Sequence, residues 1–362
     1  MRPIRIAVIG LGFGRAVHIP VFQSLIGDVE VVAVVGSEPK KAQVIAQQLG
    51  VTHSFANYQQ LETLDLDAVS VALPPSLSGP VIKWAVDRGI HVLAEKPLSN
   101  SVAEIQEILS SIEAFQKKTP ENNFVGMCDF QFVELPAFQH LIHELDSRLS
   151  KDIKFIRINW MVQSYAEEKD LLNWKRSLSQ GGGVLNILGS HLLYYVEHLF
   201  GQIIRVHATD HDASIFKTDS DFDYAENAVS LNLWMEFGAK IDAFITNSSS
   251  NQMIHDIDIY HRDGRIRLIN ETADYMGGFE LGIWESDKPK TVHFTEKDGR
   301  EVAFQKLAKR FVRGVQSARR SPVRHSTFQA CPSLADGYRV QVLIDRVRES
   351  IISGETISVA KS

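Results

Sequence analysis

The chain has 362 residues, 44% of them hydrophobic and 23% charged, with a formal net charge of −6. That length is more than one core usually serves, so two domains are expected. The absence of a long basic run argues against nucleic acid or an anionic membrane as partner. Cys128 and Cys331 are too few for a disulfide framework or a cysteine-rich metal site, and no histidine cluster has ligand spacing, so no metal is expected. No long apolar stretch offers a membrane span, and a strand beginning by Ile4 leaves no room for a signal peptide; the expectation is a cytoplasmic protein.

The first predicted element is an apolar strand from Ile4 that runs into Gly10-Leu11-Gly12-Phe13-Gly14 and then a helix-like stretch from Ala16 to Ile26. Glycines after a strand let the backbone turn sharply and approach a pyrophosphate at the amino end of the next helix. The strict dinucleotide pattern would have glycine at position 15, where this chain has Arg15. Further β-rich runs lie at Val29–Val35, Ala68–Leu73, His91–Leu93 and Phe124–Met127, separated by the helical stretches Pro39–Leu49 and Pro80–Arg88. Continuous apolar strands alternating with helices predict a parallel sheet covered on both faces.

The second strand closes on Gly36-Ser37-Glu38-Pro39-Lys40-Lys41. NAD-selective folds place an acid there to hold the ribose 2′-hydroxyl. Gly36 cannot do so, whereas Ser37 and Lys41 (or Lys40) suit a 2′-phosphate, which favours NADP over NAD. A shift of two residues would put Glu38 in the acid's place.

His91-Val92-Leu93-Ala94-Glu95-Lys96-Pro97 puts an acid–lysine pair at the carboxyl end of a sheet strand, the edge where such sheets bind ligands. Lys96 is suited to donate to a substrate oxygen; a solvated loop lysine is the plainer alternative. A cis bond before Pro97 would aim Lys96 inward.

Beyond about residue 150 the period changes to two: Ile156, Ile158, Trp160 and Val162, then Val229, Leu231, Leu233, Met235 and Phe237. Asp256–Tyr260 and Arg265–Ile269 flank an Asp263-Gly264 turn, a hairpin signal. These predict a large antiparallel sheet, covered by a helix over Gly183–Phe200; a last helix spans Gly337–Ser350. The domains expected are 1–125 and 126–362, with that last helix packing back toward the first. Gly181-Gly182-Gly183 opens the covering helix, on which Ile187, His191 and Tyr195 share a face at four-residue spacing. His191 is a candidate general acid or base, the alternative being a core histidine.

Gly10-Leu11-Gly12 with His18 and Pro20, Ala94-Glu95-Lys96-Pro97, the Gly181–His191 block, Ser326-Thr327-Phe328 and the closing helix together resemble the glucose–fructose oxidoreductase / inositol dehydrogenase family across essentially the whole chain. The resemblance implies a doubly wound parallel Rossmann sheet plus an α+β domain with an open antiparallel sheet that commonly supports homodimers or homotetramers. It implies an active site between the domains, NAD or NADP as cofactor, and a small-molecule substrate: a sugar, inositol or related polyol. It makes Lys96 and His191 the catalytic pair and assigns Gly10, Gly12, Phe13, Gly14, Ser37, Lys41, Pro74, Glu95 and Lys96 to the cofactor. Three positions depart from the family. Ile187 stands where an aspartate usually precedes the histidine, with Asn186 turned about 100° away on an ideal helix. Tyr194 stands where an acid often follows it, and Ser78 replaces a histidine in the Leu73-Pro74-Pro75 loop over the cofactor. Tyr165, Trp174, Arg176, Asn186 and Tyr195 are the candidates for the substrate side, with Asp129 and Gln131 as further pocket candidates. Two other readings stay open: a dinucleotide-binding sensor without turnover, and an NAD-dependent glycosidase that returns its hydride.

Overall fold

A computed structural model describes residues 2–119, 123–148, 152–211, 221–249, 252–285, 288–292, 299–320 and 332–361. Ser326-Thr327-Phe328 and Cys331 lie outside the described residues. The chain divides into two compact units, one of residues 1–130 and 304–338, the other of 131–303 and 339–362. The first boundary therefore falls at 130, and the segment that returns to the first unit is 304–338.

The first unit is built on six parallel strands: β1 (Ile4–Ile9), β2 (Val29–Val35), β3 (His53–Phe55), β4 (Ala68–Val71), β5 (His91–Ala94) and β6 (Gly126–Cys128). Their spatial order is β3-β2-β1-β4-β5-β6, the doubly wound arrangement. The sheet's interior strands are mostly apolar because both faces are covered, and the four residues Ala68–Val71, Ser70 among them, are all buried. The helix over Pro75–Asp87 starts five residues before the sequence expectation and carries Pro80 inside it. A long helix over Arg300–Arg320 supplies Phe304, Leu307, Ala308, Phe311, Val312 and Val315 to the same core as Ile4, Val8 and Val31. Their three- and four-residue spacing is that of an apolar stripe on a helix.

The second unit holds a nine-stranded sheet: β7 (Ile153–Met161), β8 (Ile203–Asp210), β9 (Ala228–Met235), β10 (Lys240–Thr246), β11 (Ile254–His261), β12 (Gly264–Asn270), β13 (Glu280–Glu285), β14 (Lys288–Val292) and β15 (Ile357–Ser358). The order is β14-β13-β12-β11-β7-β10-β9-β8-β15. It is mixed rather than wholly antiparallel, because β10 runs parallel to β7. The period-two residues Ile156, Ile158, Trp160, Val229, Leu231, Leu233 and Met235 are all buried on one face. The predicted hairpin is β11–β12, closing on His261 opposite Gly264.

Candidate active site

In the first unit the candidate groups gather at the carboxyl ends of β1, β4, β5 and β6. Gly10 leaves β1 with a φ of +103°, and a Cβ there would lie 2.1 Å from the Ala72 carbonyl oxygen. Only glycine fits both constraints. A Cβ on Gly12 would meet nothing within 4 Å, so the backbone after the turn stays bare. Gly14 packs on Val8, and the next residues open as a π turn over Gly14–His18 before continuing as α-helix through Ser24. A strand end with glycine forced against β4 and open backbone beyond it is a cradle that fits a dinucleotide pyrophosphate. Phe13 is half-buried, with its edge against His18 at 5.3 Å.

Gly36 has a packing reason of its own, since a Cβ there would lie 2.5 Å from Leu11 Cδ1. Ser37 is exposed, and Lys41 reaches back to Glu38 at 3.2 Å on the exposed first turn of the next helix. Pro74 precedes the Pro75–Asp87 helix, and the Ser78 hydroxyl, fully buried, lies 3.2 Å from the carbonyls of both Leu73 and Pro74. Serine at 78 thus ties the loop to its own helix.

The β5 end carries Glu95, Lys96 and a cis Lys96–Pro97 bond. Behind it the π turn delivers His18, whose Nε2 donates to Glu95 Oε1 at 3.0 Å while Nδ1 lies 2.7 Å from Ser70 Oγ on β4. Phe304 stacks on the His18 ring at 4.2 Å. Asp129, fully buried just past β6, hydrogen-bonds the Glu95 carboxylate. Burial by itself would raise the Glu95 pKa. The hydrogen bond and charge of His18, the bond from Asp129 and the nearby Lys96 charge outweigh that and hold it below its usual range. Cys128 alongside is driven the other way, first by burial and then by Asp129 and Glu95.

In the second unit, Gly181 and Gly183 take φ of +83° and +93°. Their loop folds over the 174–177 turn, with the Gly183 N–H on the Lys175 carbonyl (2.9 Å) and the Gly182 N–H on that of Ser177 (2.8 Å). Glu226 then fixes the start of the helix. Its backbone carbonyl accepts from Val184 N–H (2.7 Å), its carboxylate from Leu185 N–H (3.3 Å), and Arg348 pairs with it at 3.2 Å. Sequence reasoning missed Glu226, which lies 41 positions from Leu185 and has no local signal.

The helix begins as a π turn over Leu185–Gly189, with the Ser190 N–H bonded to the Leu185 carbonyl. The backbone between Asn186 and His191 is therefore not ideal α-helix; Asn186 is buried and Ile187 half-buried. His191 is 8% exposed and sits against Phe132 (4.9 Å) and Trp160 (6.3 Å). Beneath them His255 stacks flat on Trp160 at 4.2 Å, and its Nε2 shares a hydrogen bond with the Tyr195 hydroxyl at 3.1 Å. Burial lowers His255 to about 3, so the ring is neutral, and burial raises the Tyr195 phenol well above its usual value.

Several substrate-side expectations are corrected by burial. Tyr195 is fully enclosed and serves the floor under His191. Arg176 is enclosed as well, with Glu167 at 3.2 Å, Asp170 at 2.6 Å and the Tyr224 ring at 5.1 Å, so its guanidinium is a strut of the glycine loop rather than a free cation. Trp174 is half-buried at the start of a short turn that Asn173 caps, and Tyr165 stands exposed on its own short helix. Gln131 is buried. Lys96 belongs to the first unit and His191 to the second.

Residues 4–120 match a family described as an oxidoreductase family with an NAD-binding Rossmann fold, and residues 151–359 match its C-terminal alpha/beta domain. The chain belongs to this oxidoreductase family. An uncharacterized oxidoreductase of Synechocystis sp. is 27% identical over 365 residues, covering 96% of this chain and 94% of the relative. The trans-1,2-dihydrobenzene-1,2-diol dehydrogenase of Xenopus tropicalis is 22% identical, covering 90% of each. Among solved structures, a levoglucosan dehydrogenase bound to NADH and L-sorbose superposes with a TM-score of 0.84 over 100% of both chains at 19% identity, a likeness of fold. No helix among the described residues is long and apolar enough to cross a membrane.

Proposed function

We propose that the protein is an NADP(H)-preferring oxidoreductase that moves a hydride between the nicotinamide and a carbon bearing a secondary alcohol, or its ketone, on a sugar-like molecule. The observation that carries this reading is the Gly10–Gly12 cradle set on the same sheet edge as Glu95-Lys96-Pro97. Gly10, Gly12, Phe13 and Gly14 would hold the pyrophosphate side, Ser37 and Lys41 the adenosine 2′-phosphate, and Pro74, Glu95 and Lys96 the nicotinamide side. The dinucleotide supplies hydride acceptance or donation at its nicotinamide ring.

Lys96 holds a proton at Nζ for the substrate oxygen and takes it back in the oxidative direction. His191 orients that oxygen and shares the proton work through its imidazole, the floor of Phe132, Trp160 and His255 fixing the ring plane. Ile187 stands where the family resemblance places an aspartate before this histidine, and the buried Asn186 is the neighbouring polar group we assign to the substrate side. The outer face of the large sheet, where Trp234 lies under Arg205 and Lys240, is our candidate surface for a homodimer or homotetramer.

The test is turnover of a panel of sugars, keto-sugars and cyclic diols with NADPH or NADP, with Lys96→Ala and His191→Asn alongside. Turnover by the wild type and a loss of at least about 100-fold in each variant supports the assignment. Cofactor binding without turnover of any substrate favours the sensor reading, which Ile187 motivates. Release of sugar from an aryl glycoside without net cofactor consumption would identify the glycosidase.

A further inference from the structure

Lys96 follows a carboxylate on which the fold spends two buried hydrogen-bonding side chains. His18 is fully enclosed between Phe13 and Phe304, and its placement requires the π turn at Gly14–His18, so its Nε2 contact with Glu95 is built in from a distant element. Asp129 arrives from β6 on the opposite flank, also fully enclosed. One side-chain nitrogen or oxygen from each of His18, Glu95 and Asp129 lies within 4.8 Å of the other two. Two carboxyl groups in hydrogen-bonding contact need a proton between them, so Asp129 donates and Glu95 accepts. The cluster therefore keeps one carboxylate charge on Glu95, where burial would otherwise neutralise it.

We propose that His18 and Asp129 are positioning residues that clamp Glu95 as a carboxylate, and that this carboxylate holds Lys96 as the ammonium that donates to the substrate oxygen. The inference rests on the reading of Lys96 given above, and it reaches further by making two side chains that never meet substrate responsible for the lysine's charge. The charged and polar groups acting on Glu95 are His18, with Ser70 behind it, Asp129 and Lys96. In a poorly solvated setting a carboxylate a few ångströms from an ammonium shifts its proton affinity by a factor of ten or more.

The test reads Lys96 directly and needs no substrate. The full-length protein is labelled with trace acetic anhydride across a pH series, and acetylation of Lys96 is followed by mass spectrometry. In Glu95→Gln and in His18→Leu the reactivity of Lys96 at neutral pH rises about tenfold, because more of it is free amine. In Asp129→Asn, whose amide still donates, it stays within about twofold of wild type. A Lys96 profile unchanged in Glu95→Gln, or in His18→Leu, overturns the clamp, since a merely packed histidine would leave the lysine's titration alone. Should His18→Leu not fold, the carbon-13 carboxyl signal of Glu95 in the wild-type protein decides the matter. Ionisation persisting below the usual glutamate range supports the clamp, and protonation at or above that range overturns it. If Lys96→Ala left turnover intact, the catalytic reading would fail while the labelling result still stood by itself.

Discussion

Acidification should unfold the second unit through His255, and the size of the effect follows from its surroundings. His255 is enclosed by Trp160, Phe132, Phe138 and Phe279, shares a hydrogen bond with the Tyr195 hydroxyl, and is lowered by burial to about 3. The unfolded chain binds a proton there near pH 6.5 and the native state does not, so stability is full above 6.5 and falls as pH drops toward the native value. The slope is about 1.4 kcal/mol per pH unit, or about 2 kcal/mol lost by pH 5. His91 in the first unit, lowered to about 4 mainly by burial and accepting from the Val125 N–H at 3.1 Å, adds a similar slope between 6.5 and 4. Urea melts at pH 7.5, 6 and 5, followed by tryptophan fluorescence, measure the sum. His255→Phe loses about 1–3 kcal/mol at pH 7.5 because the Tyr195 hydroxyl is orphaned, yet its stability declines more gently with acid by about 1.4 kcal/mol per unit. A variant with the same acid slope as the wild type would refute the claim that a neutral, buried His255 underlies the site.

Other outcomes are open to measurement. Gly10→Ala should cost about 2–5 kcal/mol in a denaturant melt and abolish dinucleotide binding, since the new Cβ meets the Ala72 carbonyl at a positive φ; an unperturbed melt contradicts the cradle. Glu38→Gln frees Lys41 from its ion pair and should raise NADPH affinity a few-fold; weaker NADH binding with no gain for NADPH would instead make Glu38 the ribose acid. Asn186→Leu should lower kcat about tenfold with KM nearly unchanged if it orients His191, and equal kcat would show that Asn186 takes no part in orienting the histidine. Glu226→Gln should loosen the glycine loop and raise hydrogen exchange at Val184 and Leu185, while rates in the first unit stay fixed.

The parallel sheet was legible because its strands are short, mostly apolar runs alternating with helical stretches, and Val29–Val35 and Pro39–Leu49 fall where the pattern puts them. The glycine turn and the Glu-Lys-Pro end were legible for a related reason: each is a local demand on the backbone, written in adjacent residues. What escaped depends on partners far along the chain. The helix over Arg300–Arg320 has an apolar stripe, but nothing in that stripe says which core receives Phe304. The parallel pairing of β10 with β7 was hidden because alternation fixes a face and not a direction. The π turn over Leu185–Gly189 was hidden because the residue pattern assumes an ideal 3.6-residue helix. Gly36 was read only as a missing acid, although Leu11 packed against it gives glycine a steric reason at that position.

We propose that the Gly10–Gly12 cradle and the Ser37–Lys41 turn make this a nicotinamide enzyme that prefers the 2′-phosphate. Titration of the cofactor-stripped protein with NADPH and with NADH, followed by reduced-nicotinamide fluorescence, tests it most directly. The account predicts saturable binding of NADPH at least about tenfold tighter than NADH, a difference of about 1.4 kcal/mol. Tighter binding of NADH would contradict the assigned preference, and binding of neither would contradict the function as a whole.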